Sequence, residues 1–234
     1  AVSAELASSR GLDLYVNNSY GTYFNFVLYD VREAMDLVKR ETEKIHQRTK
    51  AVMSKEESDP FVKVAVKRLI PFRTFNSAIR GFISTDKIHR GQCYGARAIA
   101  ASAAVGGHGP LMYDIAMGYH GMLVSDRGAV SDSAENIWQF YHDNRVDVAK
   151  LPLDDVEDPK TPPPEDDCRL HKNNRRALNY AYSFEGKAPN VSALAKNHQE
   201  FVASVASETG IEEKTILSML LNSGGWFFDQ KYEE

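Results

Sequence analysis

The sequence predicts an α/β fold in which strands alternate with helices, followed by a C-terminal helical appendage. Three observations predict it. An apolar run over residues 98–105 leads into Gly106-Gly107-His108-Gly109, and Pro110 opens a helical pattern over residues 111–119. Aromatic and apolar stretches of strand length lie on either side of that turn, at residues 23–29 (YFNFVLY) and 177–184 (ALNYAYSF). Residues 190–234 carry apolar positions at helical spacing. The expected organisation is one domain over residues 1–187 and an appendage over residues 188–234.

Taken in order, residues 23–29 form a strand. Residues 31–53 form an exposed amphipathic helix with sparse apolar positions, Met35, Val38, Ile45 and Val52. Its charge run KRETEKIHQRTK reads as a solvated face. Residues 61–70 fit a helix or a strand, since Val62-Lys63-Val64-Ala65-Val66 suits both. Residues 78–83 and 94–101 read as neighbouring strands joined across residues 85–92. After the helix at 111–119 comes Gly121-Met122-Leu123-Val124, then Ser125-Asp126-Arg127. Ser131 is an N-cap, and Asp132 and Glu135 favour the dipole of the helix it opens. Ala134, Ile137, Trp138 and Tyr141 give that helix a buried stripe. Residues 153–167 (LDDVEDPKTPPPEDD) are too acidic and proline-rich to bury and form an exposed loop. The basic cluster at residues 171–176 reads as a solvated turn before the strand at 177–184.

In the appendage, Phe201, Val202 and Val205 mark one helix and residues 211–221 another, broken at Thr209-Gly210. Val205, Ala206, Gly210, Ile211, Ile216 and Met219 also match helix-turn-helix spacing. Glu212-Glu213, however, is a poor start for a helix approaching phosphates. A plain helical hairpin is expected, covered by the core or, the favoured alternative, by a second copy of the chain in a homodimer. Trp226, Phe227 and Phe228 need a docking site.

A strand, a glycine turn and a helix N-terminus together make an anion site. Glycine lets the backbone approach a ligand, and the first-turn N–H groups, unpaired within the helix, point at it. Pro110 suits the first helical position, where its missing N–H would go unused. The nucleotide P-loop is excluded because no Gly-Lys-Ser/Thr is present. The dinucleotide fingerprint is excluded because Met112 stands where its third glycine belongs. What remains is another phosphate-bearing ligand, or a tight turn with no ligand.

The 234 residues are 43% hydrophobic and 26% charged, as in soluble globular proteins. A net charge of −4 makes no general case for nucleic acid. No apolar run approaches the roughly 20 residues that span a bilayer. AVSAELASSRG has neither the basic start nor the apolar stretch of a signal peptide. Cys93 and Cys168 are too few for a disulfide framework, and no Cys/His cluster has zinc spacing. A reducing cytoplasm and no metal are therefore expected.

The order strand, glycine turn, helix, strand, helix resembles the acetyl-coenzyme A core of the Gcn5-related N-acetyltransferases. GGHGPLMYDIAM is similar to their pyrophosphate motif, and SDRGAVSDSAENIWQFYHDN to their following strand and helix. The resemblance is strongest to small phage-encoded members and covers residues 75–150, extending towards 185. It implies a mixed central sheet flanked by helices, acetyl-coenzyme A as co-substrate and an amine-bearing acceptor. Transfer would be direct, without a covalent enzyme intermediate.

The resemblance places the cofactor on Ala103, Ala104, Val105, Gly106, Gly107, His108, Gly109, Pro110 and Leu111. A backbone N–H near residues 103–105 would polarise the thioester carbonyl. Trp138, also at the cofactor, stands four residues after Ala134, where many members carry the tyrosine that protonates the departing thiolate. Tyr141, on the same face, is the substitute acid, and Ser125 and Asp126 face the acceptor. Ala104 departs from the pattern too, which has Arg or Gln there; backbone N–H groups do most of the gripping, so the loss is tolerable. Three functions follow. One is an acetyltransferase in the cytoplasm, the host's if phage-encoded. Another is a non-catalytic binding or structural protein of that fold, in a virion for example. The third is DNA binding through the C-terminal hairpin.

Overall fold

The computed structural model describes residues 4–19, 22–50, 74–88, 92–155, 162, 164–171, 175–188, 194 and 198–233. Residues 61–70, and residues 172–174 of the basic cluster, lie outside them. In chain order the elements are α1 (Ala4–Ser9), β1 (Leu12–Ser19), β2 (Tyr23–Asp30), α2 (Val31–Lys50), β3 (Ile79–Lys87), β4 (Arg97–Ala104), α3 (Gly109–His120), β5 (Met122–Val124), α4 (Asp132–Asn144), β6 (Val148–Pro152), β7 (Tyr180–Phe184), α5 (His198–Thr209) and α6 (Glu213–Glu233). The fold is mixed α/β: a seven-stranded mixed sheet in the order β1-β2-β3-β4-β5-β7-β6, with six helices among the described residues. β4 and β5 are parallel, with α3 as the crossover that parallel neighbours require. β7 runs antiparallel to both β5 and β6. No helix among the described residues is long and apolar enough to cross a membrane.

Two strands lie beyond the expected set. In β1, Leu12, Leu14 and Val16 alternate with Asp13, Tyr15 and Asn17, and Asp13 and Tyr15 are buried too. β6 is five residues long and ends at Pro152, which an edge strand tolerates. The strand expected from residue 177 starts at Tyr180, because Arg176–Asn179 form a 3₁₀ turn.

By its internal packing the chain divides into two compact units. One is built from Val16–Phe26 and Ile83–Val191, the other from Glu5–Tyr15, Val27–Phe82 and Ser192–Glu234. One cut falls between Val191 and Ser192, close to the expected boundary at residue 187, and the unit that holds α5 and α6 also takes in N-terminal elements. Phe201 of α5 packs on Tyr29 (ring centroids 5.3 Å) and Phe75 (5.8 Å). A Cβ at Gly224 of α6 would lie 2.9 Å from Val27 and Phe82, so glycine is what allows that close approach. Val205, Ile211, Ile216 and Met219, which matched helix-turn-helix spacing, are buried. Phe227 is buried as well, and Phe228 meets Phe82. The tail thus finds apolar cover within its own chain.

In the other unit, Cys93 and Cys168 form a disulfide with a Cα–Cα distance of 4.8 Å. Two cysteines, too few for a disulfide framework, thus still make one bridge. The bridge sits in a buried cluster with Ala96, Val124, Leu153 and Ala181. The Cys93 N–H also donates to the Asp167 carbonyl, so part of the acidic segment is anchored. The cysteines are 75 residues apart, and closing a loop of that length removes about 4 kcal/mol of unfolded-chain entropy. Cys93→Ala/Cys168→Ala should lower the unfolding free energy by about that amount, read as a fall in the denaturant midpoint.

His120, at the end of α3, shares a 2.9 Å hydrogen bond between its Nε2 and Thr85 Oγ1. Burial, with the Arg97 charge second, pulls its pKa down to about 4 from 6.5. The stability carried by neutral His120 is complete above pH 6.5 and is lost as pH falls through about 4. His120→Gln should flatten the loss of stability across that window by about 1–3 kcal/mol, measured by urea unfolding at both ends.

Candidate functional site

β4 ends at Ala104, and the chain turns through Val105–His108, the His108 N–H donating to the Val105 carbonyl (3.1 Å). Gly107 sits at φ +81°, a left-handed conformation that glycine adopts without strain. The His108 ring folds back, its Nδ1 donating to the Gly106 carbonyl (3.1 Å), while its own carbonyl accepts from Met112 N–H. α3 then starts with Pro110 in its first turn and no acidic residue there. Its positive end is therefore uncompensated by any acidic side chain in that turn.

This turn forms one wall of a cleft of about 270 Å³. The opposite wall is the start of α4: Ser131, Ser133, Ala134 and Ile137. Ser131 caps that helix, its hydroxyl accepting from Ala134 N–H (3.3 Å). Asp132 and Glu135 complement its dipole, so the anion-attracting field in the cleft comes from α3. A Cβ at Gly109 would lie 3.1 Å from the Ile137 tip, so this glycine serves helix packing as well as the turn.

A second feature lies along β4. Its register with β5 consists of Arg97↔Leu123 and Ala98↔Val124, after which β5 ends and β4 runs on to Ala104. The later part of β4 therefore has an edge that β5 does not cover. Ser102, Ala103 and Ala104 on that stretch line the cleft.

Of the expected cofactor residues, Ala103, Ala104, Val105, Gly106, Gly107, Gly109 and Pro110 line the cleft. His108 caps the helix, while Leu111 and Trp138 are core residues. Trp138 packs against Tyr113 and Tyr182, each at 5.1 Å. The expected catalytic residues are not gathered at the cleft. Tyr141 is fully buried, and its hydroxyl donates to the Pro110 carbonyl (3.0 Å) and to Asp114. Burial, reinforced by the Asp114 charge, pushes its pKa well up, which unsuits it to protonating a thiolate.

Ser125 is buried, its hydroxyl donating to the carbonyls of Leu178 and Asp126 (3.2 Å each). Asp126 shapes the loop after β5 by accepting from the N–H groups of Gly128 and Ala129. Between them, Arg127 donates to the carbonyls of Ser125, Leu178 and Arg169, and burial lowers its pKa to about 10. The hydrogen bonds of these three residues hold the loop.

Sequence reasoning missed Ser102, Met112, Tyr113, Ser131, Ser133, Ala134 and Ile137 as lining residues. Tyr113 follows Gly109 by one helical turn, a spacing that shares its face. Ser102 has no comparable signal within its alanine-rich strand. Elsewhere in this unit, carboxylate oxygens of Asp154, Asp166 and Asp167 lie within 4.8 Å of one another, the one group among the described residues with the makings of a metal ligand set. No protein-family model, no curated protein and no solved structure matches the chain.

Proposed function

We propose that the cleft takes acetyl-coenzyme A and that the protein is an N-acetyltransferase of the Gcn5-related kind, moving the acetyl group to an amine. The observation that carries this is the left-handed Gly107 leading into α3, whose proline-opened, acid-free first turn borders the cleft. The diphosphate would rest on the backbone N–H groups of Gly107, Gly109 and Leu111, those of His108 and Met112 being taken by the Val105 and His108 carbonyls. The uncovered edge of β4 supports the same reading, because the cofactor's arm carries two amides that can pair with a strand. Paired there, the arm would bring its thioester carbonyl to a β4 N–H, which polarises it for attack. Alignment of amine and thioester in this way is worth roughly 7–11 kcal/mol. The sheet order, with its parallel β4–β5 pair joined through α3, fits the mixed sheet of that superfamily.

A cofactor-binding protein without catalysis is the second reading. It is favoured by Trp138 in the core and by the occupied Tyr141 hydroxyl. The bonded Cys93 and Cys168 support an oxidising setting, such as a virion surface, over the reducing cytoplasm. Calorimetric titration with coenzyme A and acetyl-coenzyme A tests the shared core of both readings, with micromolar affinity expected. Absence of binding overturns both. Consumption of acetyl-coenzyme A in the presence of a panel of amines then separates them.

A further inference from the structure

A pair of hydroxyls in the cleft has no part in the binding described so far. Ser102 Oγ on β4 and the Tyr113 hydroxyl on α3 lie 3.1 Å apart, and both residues line the cleft. Tyr113 is fully enclosed, its ring edge-on to Trp138, whereas Ser102 is half-buried. Ser102 stands five residues before Gly107. β4 ends at Ala104 and the chain curls from Val105, so Ser102 lies closer to Gly107 than the roughly 16 Å that five fully extended residues would span. In coenzyme A, about thirteen bonds separate the diphosphate from the sulfur, a reach of ~15 Å at backbone-like bond geometry. The arm of a coenzyme anchored at the turn and laid along β4 is thus long enough to bring its sulfur to Ser102.

Resting on the coenzyme reading above, we propose that Ser102 touches the sulfur and donates a hydrogen bond to the departing thiolate, with Tyr113 positioning and polarising Ser102 by donating to its Oγ. As the amine lone pair forms the C–N bond, the C–S bond breaks and its electron pair stays on sulfur. The Ser102 hydrogen bond stabilises that charge in a partly enclosed site, where it counts for more than in water. The proton itself stays on oxygen, because both hydroxyls are weaker acids than a thiol; burial pushes Tyr113 up to about 12. The thiolate takes its proton from water, and the ammonium proton of the product passes to solvent. The reaction then needs no tyrosine at position 138. The Trp138 indole instead braces the Tyr113 ring.

Coenzyme A itself is the probe, since its thiolate absorbs in the ultraviolet and can be titrated while bound. The bound thiol should titrate about one unit or more below free coenzyme A in the wild-type protein. Ser102→Ala should return it to the free value, Tyr113→Phe should move it part of the way, and Ser102→Thr, which keeps the hydroxyl, should retain the wild-type titration. Affinity for coenzyme A should stay within about threefold throughout, because the diphosphate dominates binding. A hydroxyl pair that merely braced α3 on β4 would leave the thiol's titration unmoved. Identical titrations in wild type and Ser102→Ala overturn this proposal and leave the coenzyme reading standing. No binding by the wild-type protein overturns both.

Discussion

Gly107→Val should weaken coenzyme A binding by about 10²-fold or more while leaving the chain folded. Gly107 is exposed, and a Cβ built on it meets nothing within 4 Å, so the substitution causes no clash. What it meets is the φ of +81°, where a β-branched residue is strongly disfavoured. The turn relieves that strain by changing φ, which swings the N–H groups of residues 107 and 109 away from the cleft. A hydrogen bond to a charged group is worth about 1.5–3 kcal/mol, so losing two accounts for a loss of 10² or more. Gly109→Ala is the internal control. Its Cβ presses on the flexible Ile137 tip at 3.1 Å, and φ there needs no glycine, so affinity should fall far less. Calorimetric titration beside a thermal melt separates binding from folding. Unchanged affinity in Gly107→Val would remove the backbone turn as the phosphate site.

The largest effect on stability is expected at Arg145. Its guanidinium bonds both carboxylate oxygens of Asp114 (2.9 and 3.2 Å) and both of Asp147 (2.7 Å each), and lies over the Tyr141 ring. Asp114 is 9% exposed. Burial drives its pKa up, and the bonds from Tyr141 and Arg145 pull it back only in part. Arg145→Met therefore strands a carboxylate in the interior, which costs about 3–5 kcal/mol. Asp114→Asn in the same background should restore much of that loss, since an amide needs no counter-charge, and a double-mutant cycle by urea unfolding measures it. Equal losses with and without Asp114→Asn would show that Arg145 acts through packing alone. Tyr141→Phe belongs to the same network. It should cost about 1 kcal/mol and loosen the start of α3 through the lost bond to Pro110, so affinity falls before turnover does.

The glycine turn, α3 with Pro110 at its start, and α4 with its Ser131 cap were legible because each depends on neighbours in the chain. Of the seven lining residues from Ala103 to Pro110, those from Val105 on follow from that local pattern, and Ala103 and Ala104 from the family resemblance. Periodicity also marked Trp138 and Tyr141 as inward-facing. It could not say that one meets Tyr113 and Tyr182 and the other Asp114 and Pro110, which are properties of the assembled fold. Ser125 and Asp126 look like chemistry in a sequence, yet their oxygens are taken up by nearby backbone. The pairing of Cys93 with Cys168 and the cover found by Phe201 are long-range facts with no local trace. β1 did carry a local signal, Leu12, Leu14 and Val16 alternating with Asp13, Tyr15 and Asn17, but that signal does not give the burial of Asp13.

The Cys93–Cys168 bond encloses β4, α3, β5, α4 and β6 within one covalent loop. A force applied at the two chain ends passes through the sulfurs and bypasses every wall of the cleft. With 75 residues at ~3.4 Å each, roughly 250 Å of contour length stays hidden from the load until the bond is reduced. A protein stretched during transport or assembly would let its terminal segments unravel first while the ligand cleft kept its shape. A reductant would convert that shielded element into ordinary extensible chain.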